Sequence, residues 1–159
     1  MYKRIFSVFI LILLLASCKK ELPDIGGTAA QKMANEWWVT LDLDGTADVY
    51  GIGYFKIGTY NTASNGDSIW IDDFEHGWQV KFKAKADYNN LTFSAVNSPN
   101  EYYPINVSVP EGKVILNAGH SRSGNIVDSI HMKIEFEDDP GTIYEMNGHA
   151  RTMFIEDEY

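Results

Sequence analysis

The sequence has one cysteine, few prolines and few basic residues. A single Cys among 159 residues excludes an internal disulfide and any zinc site built on two or more thiolates. Five Pro and 13 Gly exclude collagen-like and proline-rich repeats. Thirteen Lys and Arg face 22 Asp and Glu, for a formal charge of −9, and the basic residues form no run that could follow a phosphate backbone. We therefore expect no nucleic-acid partner, and no residue pattern indicates a cofactor.

The residues that are present indicate a folded domain. Hydrophobic residues make up 45% of the chain and charged residues 22%, which excludes an intrinsically disordered protein. The length corresponds to one domain with one core. Two catalytic domains that meet at a cleft are therefore not expected.

The first 18 residues have the pattern of a bacterial lipoprotein signal. Lys3 and Arg4 precede a run, 5–16, that is apolar apart from one serine. As a helix this run is about 18 Å long, short of the roughly 30 Å hydrocarbon core of a bilayer. The run ends in Leu15-Ala16-Ser17-Cys18, which resembles a lipoprotein box whose cysteine is acylated. A short membrane anchor and an ordinary secretory signal are the alternatives.

The expected organisation follows from this signal. Residues 1–17 are predicted to be a signal peptide, 18–35 the acylated Cys18 with a flexible tether, and 36–159 a single β domain. Because the mature chain is acidic, we expect attachment to the membrane through acyl chains such as palmitate on Cys18 rather than through a basic surface. The expected location is the outer membrane, facing the periplasm or the cell surface, and no protein partner is indicated.

Beyond residue 35 the hydrophobic pattern has a period of two, which is typical of half-buried strands. In the clearest stretch, Trp78, Phe82 and Ala84 alternate with lysines. Short turn signals between the stretches favour antiparallel neighbours, and a turn is also expected at 110–112. The predicted strands are 36–43, 50–61, 68–74, 78–87, 91–97, 103–109, 113–118, 126–137 and 142–155, the last as either one long bent strand or two. The sequence thus predicts an all-β, antiparallel, eight- to ten-stranded up-and-down barrel of lipocalin-like type, with a two-sheet sandwich as the alternative.

Ordered aromatic and turn blocks carry a family resemblance. They are Glu36-Trp37-Trp38-Val39-Thr40-Leu41-Asp42, Gly58-Thr59-Tyr60-Asn61-Thr62-Ala63 and Ser68-Ile69-Trp70-Ile71-Asp72-Asp73. Behind a lipoprotein signal, these blocks resemble the Bacteroidetes family of lipid-binding putative hydrolases, over about residues 33–155. The resemblance implies a lipocalin-like barrel anchored in the outer membrane that takes a small apolar ligand.

The hydrolase part of that family description has no convincing catalytic motif in this chain. Gly119-His120-Ser121-Arg122-Ser123-Gly124 is similar to a lipase-type sequence, but its second glycine lies one position too far from Ser121 for a nucleophile elbow. It also lies between two predicted antiparallel strands, so we interpret it as a loop. Asp72, Asp73, Glu75 and His76 match no metal-binding loop, and no metal site is predicted.

The aromatic residues are the better candidates for a ligand site. Phe, Trp and Tyr make up 13% of the chain, enough to fill a core and to line a pocket. Trp37, Trp78 and Phe82 lie on faces expected to point into the barrel, with Ala84 and Ala86 leaving room, and Trp70 is a fourth candidate. The leading hypothesis is a lipid-anchored envelope lipoprotein whose barrel binds a small hydrophobic or lipid-like molecule. An esterase-like hydrolase and a module that binds an envelope protein or a glycan are the alternatives.

Overall fold

A computed structural model describes residues 26–64 and 66–159, and the segment expected as a signal peptide and Cys18 lie outside the described residues. The described part contains eight strands and one short 3-10 helix, at Ile155–Asp157, and within it no helix is long and apolar enough to cross a membrane. The strands are β1 Asn35–Asp42, β2 Phe55–Asn61, β3 Ser68–Asp72, β4 Lys81–Asp87, β5 Thr92–Pro99, β6 Asn106–His120, β7 Ile126–Phe136 and β8 Tyr144–Ala150.

The eight strands form one closed antiparallel barrel in which each strand pairs with its neighbours in sequence. The first and last strands close it, with Trp37 opposite Ala150 and Asp42 opposite Glu145. Closure pairs every strand on both sides and leaves no exposed sheet edge. The predicted up-and-down barrel is therefore confirmed with eight strands, and the two-sheet sandwich is excluded.

The alternation expected from the sequence places the core inside the barrel. In β4, Phe82, Ala84 and Ala86 are buried while the three lysines between and before them face outward to different extents. Along β7 the same period of two buries Ile130 and every second residue after it, up to Phe136. Each strand therefore contributes one apolar face to a single interior cluster.

The turn predicted at residues 110–112 is wrong, because these residues belong to the long strand β6. The two strands expected at 103–109 and 113–118 are therefore parts of one strand. The register of β6 shifts against β5 between Val109 and Gly112, and against β7 between Ser108 and Glu111. Such β-bulges bend a strand without ending it and accept a residue such as Pro110 that lacks an N–H donor.

Several other strands are shorter than predicted, and residues with positive φ account for two of these changes. Gly51 and Gly53 have φ of 68° and 75°, and β2 begins only at Phe55. Gln79 has φ of 60°, and β4 begins at Lys81 rather than at residue 78. Left-handed backbone is incompatible with a regular strand, so these residues form loops.

A turn at residues 28–34 closes one end of the barrel. It is held by backbone hydrogen bonds from the N–H groups of Met33 and Ala34 to the carbonyl of Ala30. Ala30 and Met33 are buried with the barrel core, although this stretch was expected to be part of a flexible tether. Trp37 donates its indole N–H to Thr59 Oγ1 at 2.8 Å, and the Thr59 hydroxyl donates to the Met33 carbonyl. The turn is therefore joined to β1 and β2 by buried polar contacts.

The opposite end carries four loops, at residues 43–54, 73–80, 100–105 and 137–143. The up-and-down topology brings these four connections to the same end because every second connection in such a barrel lies at the same rim. We call this end of the barrel the mouth.

Candidate functional site

Aromatic side chains from three loops and two strands close the mouth. Tyr50, Trp78 and Tyr103 come from the first three mouth loops, while Phe136 and Tyr144 lie at the ends of β7 and β8. We call these five residues the aromatic mouth. They meet although they are far apart in sequence, because the barrel brings the ends of its strands together.

Trp78 lies at the centre of the aromatic mouth. Its ring stacks on Phe136, with centroids 4.3 Å apart and planes 4° apart. The Tyr144 ring is tilted beside it at 5.3 Å and the Tyr50 ring at 6.3 Å. Phe136 and Tyr144 are almost fully buried, whereas Trp78 is half-buried and Tyr50 is 56% exposed. Trp78 therefore covers the apolar interior with one face of its indole.

The neighbouring carboxylates of Asp138 and Asp139 accept hydrogen bonds from the indole N–H and the phenol hydroxyls of these rings. Asp138 accepts a hydrogen bond from Trp78 Nε1 at 3.2 Å and another from the Tyr103 hydroxyl at 2.8 Å. Asp139 accepts from the Tyr144 hydroxyl at 2.7 Å, and the Tyr50 and Tyr144 hydroxyls are 2.6 Å apart. Since Tyr144 donates to Asp139, Tyr50 donates to Tyr144. The β7–β8 loop thus fixes the orientation of rings from the other loops.

The environment of the mouth keeps Tyr103 and Tyr144 protonated. Partial burial, together with the hydrogen bond to Asp138, raises the pKa of Tyr103 to about 12. Burial and the contacts with Tyr50 and Asp139 also raise the pKa of Tyr144. Both effects disfavour a phenolate. At neutral pH these hydroxyls are therefore hydrogen-bond donors, and the negative charge at the mouth belongs to the carboxylates.

An open recess of about 270 Å³ lies at the mouth, lined by Gly77, Trp78, Gln79 and Tyr103. Phe136 covers one face of the Trp78 ring. The recess thus combines an aromatic wall with polar groups at its rim, which is the usual make-up of a small-molecule site.

Below the mouth, the interior of the barrel is filled by side chains. Trp37 and Phe82 are 0% exposed, and Ala84 is 1% exposed, so no water-sized space lies against the first two. The space that the sequence predicts beside Phe82 is therefore occupied by neighbouring side chains. Of the predicted ligand residues, Trp37 and Phe82 lie deep in the core, and Trp78 lies at the mouth.

Trp70 lies on the outer surface of the barrel. Its neighbours in β3, Ile69 and Ile71, point into the core, and the alternation of the strand places Trp70 on the other side. There the ammonium groups of Lys81 and Lys83 lie 5.6 and 4.7 Å from the Trp70 ring. The structure does not bring Trp70 together with the other three predicted ligand residues.

Two depressions larger than the recess beside Trp78 lie elsewhere on the surface, one of them partly lined by Tyr54 and His76 of the mouth loops. The larger, about 440 Å³, extends along β4, β5 and β6, and Lys85, Glu111 and Lys113 are among its lining residues. Lys113 and Glu111 form an exposed ion pair there, which is typical of a solvated surface. A depression of about 330 Å³ lies beside Trp38 and Tyr159. In the recess beside Trp78, the lining indole ring stacks directly on the core residue Phe136.

Ser121, a predicted loop residue, is buried in the β6–β7 connection. Its Oγ accepts a hydrogen bond from the N–H of Asn125 and lies 3.2 Å from Ser123 Oγ. The buried His149 contacts the Ala150 carbonyl and the Tyr159 hydroxyl instead. Within residues 26–64 and 66–159, Ser121 therefore has no histidine hydrogen-bonded to it that could act as a general base.

The carboxylates Asp72 and Asp73 are buried, and both are engaged in hydrogen bonds. Asp72 accepts from the Tyr60 and Tyr102 hydroxyls at 2.6 Å each, and Lys81 Nζ lies 3.4 Å away. Asp73 accepts from backbone N–H groups of its own turn, including that of Val80 at 2.9 Å. In the part of the chain that the structure describes, no three His, Cys, Asp or Glu residues gather in a way that could hold a metal ion.

Sequence reasoning missed most of the mouth. Tyr50, Tyr103, Tyr144, Asp138 and Asp139 were not among the candidate residues, and only Trp78 was. One signal could have found them, since acidic residues recur in every second connection and aromatic residues in the first three of these, and in an up-and-down barrel those connections share one end.

The sequence matches the protein family described as lipid-binding putative hydrolase over residues 22–155. The match includes all eight strands and the four mouth loops. No curated protein gives a match.

Proposed function

The chain belongs to the family of lipid-binding putative hydrolases, and we propose that its barrel binds a small lipid-like molecule whose apolar part is received at the aromatic mouth. The family and the closed β-barrel both fit a lipid-binding role. We also propose where the ligand binds, how it enters the barrel and how the chain is anchored to the membrane.

The observation that carries this proposal is the position of Trp78. Its half-buried ring is in direct stacking contact with the core residue Phe136, and it is supplied by a loop rather than by a strand. Loops reorganise at lower cost than a closed sheet, whose strands are paired on both sides. A ligand chain that moves Trp78 off Phe136 meets apolar surface directly below.

Displacement of Trp78 from Phe136 by a ligand is feasible because one apolar contact replaces another. Phe136 keeps an apolar neighbour when an acyl chain replaces the indole, so no buried surface is left in water. The polar contacts that Trp78 gives up are those of Nε1 with the exposed Asp138, which water replaces. The interior itself is packed, so we expect the ligand to occupy the mouth and the adjacent end of the barrel.

Fluorine NMR of protein labelled with 5-fluorotryptophan tests the proposal residue by residue. We expect titration with decyl maltoside, below its critical micelle concentration, to shift the Trp78 resonance in a saturable way. The resonance of Trp70, on the outer surface, is the internal control and should not move. A Trp78 resonance unchanged at saturating probe, or shifts confined to Trp70, would remove the mouth as the site.

We further propose that the protein is an envelope lipoprotein acylated at Cys18, with residues 1–17 removed. The support is the sequence pattern that ends in Leu15-Ala16-Ser17-Cys18. Cells grown with labelled palmitate should yield labelled wild-type protein in the membrane fraction, and Cys18→Ser should abolish the label. Equal labelling of the Cys18→Ser variant would refute acylation at this residue.

A hydrolase function is not favoured by the geometry of the described residues. Ser121 is engaged with Ser123 and Asn125, and the carboxylate of Asp157 accepts the N–H of Ser123 and the hydroxyl of Thr152. These contacts join the β6–β7 loop to the segment after β8. They account for the burial of Ser121 without a catalytic role.

A further inference from the structure

The charge around the mouth is strongly one-sided. The four mouth loops contain eight carboxylate residues and no Lys or Arg, with His76 as their single histidine. The three connections at the opposite end contain one acidic residue, Asp67, and one basic residue, Arg122. The eight are Asp44, Asp48, Asp73, Glu75, Glu101, Glu137, Asp138 and Asp139.

Cations from the strands do not neutralise this end. Among the described residues, none of the eight carboxylates forms an ion pair, and the ammonium of Lys81, at the start of β4, is paired with Asp72. Asp138 and Asp139 accept hydrogen bonds from neutral indole and phenol groups, which leave their charge in place. The recess beside Trp78 therefore lies in a negative potential.

The recess itself has the chemistry of a site for an organic cation. Trp78 and Tyr103 line it with aromatic rings, and the Asp138 carboxylate is hydrogen-bonded to both. An ammonium group is attracted to the face of an aromatic ring, most strongly to tryptophan. A recess of about 270 Å³ is large enough for a trimethylammonium group and too small for a whole lipid. The apolar remainder of such a ligand would extend toward Phe136.

We propose that the mouth selects lipid-like ligands with a cationic, ammonium-bearing head and disfavours those with an anionic head such as a fatty-acid carboxylate. This inference rests on the proposed function, because it names the class of ligand for the same site. The head lies against Trp78 and Tyr103 beside Asp138, and the chain lies on the apolar surface that Trp78 covers in the free protein.

Three amphiphiles with the same decyl chain separate the effect of the head from that of the chain. They are decyltrimethylammonium, decyl maltoside and decanoate, each titrated below its critical micelle concentration by calorimetry and by fluorotryptophan NMR. We expect decyltrimethylammonium to bind about 3- to 30-fold more tightly than decyl maltoside, the range given by one cation–π contact. Decanoate should bind more weakly than decyl maltoside.

The salt dependence and two variants provide independent readouts. Raising the salt concentration should reduce the difference between the cationic and anionic probes, because Asp138 and most of the other mouth carboxylates are exposed to solvent. Asp138→Asn should weaken decyltrimethylammonium binding and leave decyl maltoside binding nearly unchanged. Asp67→Asn makes the same substitution at the opposite end and is the matched control. Trp78→Leu, which keeps an apolar side chain, should lose most of the preference for the cationic head.

The outcomes distinguish this inference from the function on which it rests. Equal or tighter binding of decanoate, with a shift at Trp78, would overturn the charge preference and leave lipid binding at the mouth standing. Equal binding of decyltrimethylammonium and decyl maltoside would also overturn it. If none of the three probes shifts the Trp78 resonance, the proposed function fails as well. A cationic preference that persists unchanged in Trp78→Leu would place the head elsewhere.

Discussion

Trp78 lies parallel to Phe136, with ring centroids 4.3 Å apart, and this stack joins the β3–β4 loop to the end of β7. The two residues come from separate parts of the chain and meet only at the mouth. The stack closes the apolar interior with a side chain from a loop. The stack therefore stabilises the barrel, and a ligand that enters at the mouth would have to displace Trp78 from Phe136.

Replacement of Trp78 should destabilise the barrel more than replacement of Trp70. Trp78→Ala removes the stack on Phe136 and exposes apolar surface, and we expect the free energy of unfolding to fall by about 1–3 kcal/mol. Trp70→Ala, on the outer surface, should cost less than about 1 kcal/mol. Urea unfolding of both variants measures the difference, and equal losses would show that the stack adds little.

Loss of the buried indole N–H of Trp37 should destabilise the closed end of the barrel. This group donates to Thr59 Oγ1, which also contacts the Met33 carbonyl. Trp37→Phe keeps an aromatic ring, but the side chain is smaller and no longer donates a hydrogen bond to Thr59. We therefore expect the free energy of unfolding to decrease by about 1–3 kcal/mol. A double-mutant cycle with Thr59→Val isolates the hydrogen bond. A coupling energy near zero would contradict this account.

A methyl group at residue 112 should not fit. Gly112 pairs with Phe93, and an added Cβ would lie 2.2 Å from Cε2 of the Phe93 ring. Gly112→Ala is expected to lower the free energy of unfolding by about 1–3 kcal/mol, as overpacking does. Gly26→Ala is the matched control because nothing lies within 4 Å of its added Cβ. Recovery of stability in Gly112→Ala combined with Phe93→Leu would identify the ring as the cause, and an unaltered stability of the single variant would disprove the clash.

The pKa values of Asp72 and Asp73 should be shifted in opposite directions from that of a free aspartate. Burial raises the pKa of both carboxyl groups, but at Asp72 the hydrogen bonds from Tyr102 and Tyr60 outweigh it and the pKa is lowered. At Asp73 burial outweighs the backbone N–H donors, and the pKa is raised. Carbon-detected NMR titration of the two side-chain carboxyls measures the order. Tyr102→Phe should move the pKa of Asp72 upward, and an unchanged value would contradict the assigned cause.

The sign of each shift fixes its effect on stability. Asp72 has a lower pKa folded than unfolded, so its stabilising contribution is complete above the unfolded value of about 3.9 and is lost as the pH falls through the folded value. Asp73 has a higher pKa folded than unfolded, because the folded protein holds its carboxyl proton more tightly. Its stabilising contribution is therefore present below the unfolded pKa and is lost as the pH rises through the folded value. Asp72→Asn should therefore make stability less dependent on pH on the acid side, as measured by urea unfolding between pH 2 and 6.

The sequence by itself determined which residues form strands and which way most side chains point. In β4 and β7 the alternation of apolar and polar residues predicted the buried faces, because a strand turns successive side chains to opposite sides. Short connections predicted antiparallel neighbours, and the burial of Trp37 and Phe82 followed from the same pattern. These properties are local, since they depend on residues within a few positions of one another.

Only the tertiary structure decided where strands are interrupted and which distant residues meet. Pro110 lies within β6 because pairing on both sides holds the strand together through its bulges. Trp78, Tyr103 and Asp138 meet because closure of the barrel brings every second loop to the same end. Contacts of this kind depend on strand register and on the pairing of β1 with β8, which no local pattern in the sequence encodes.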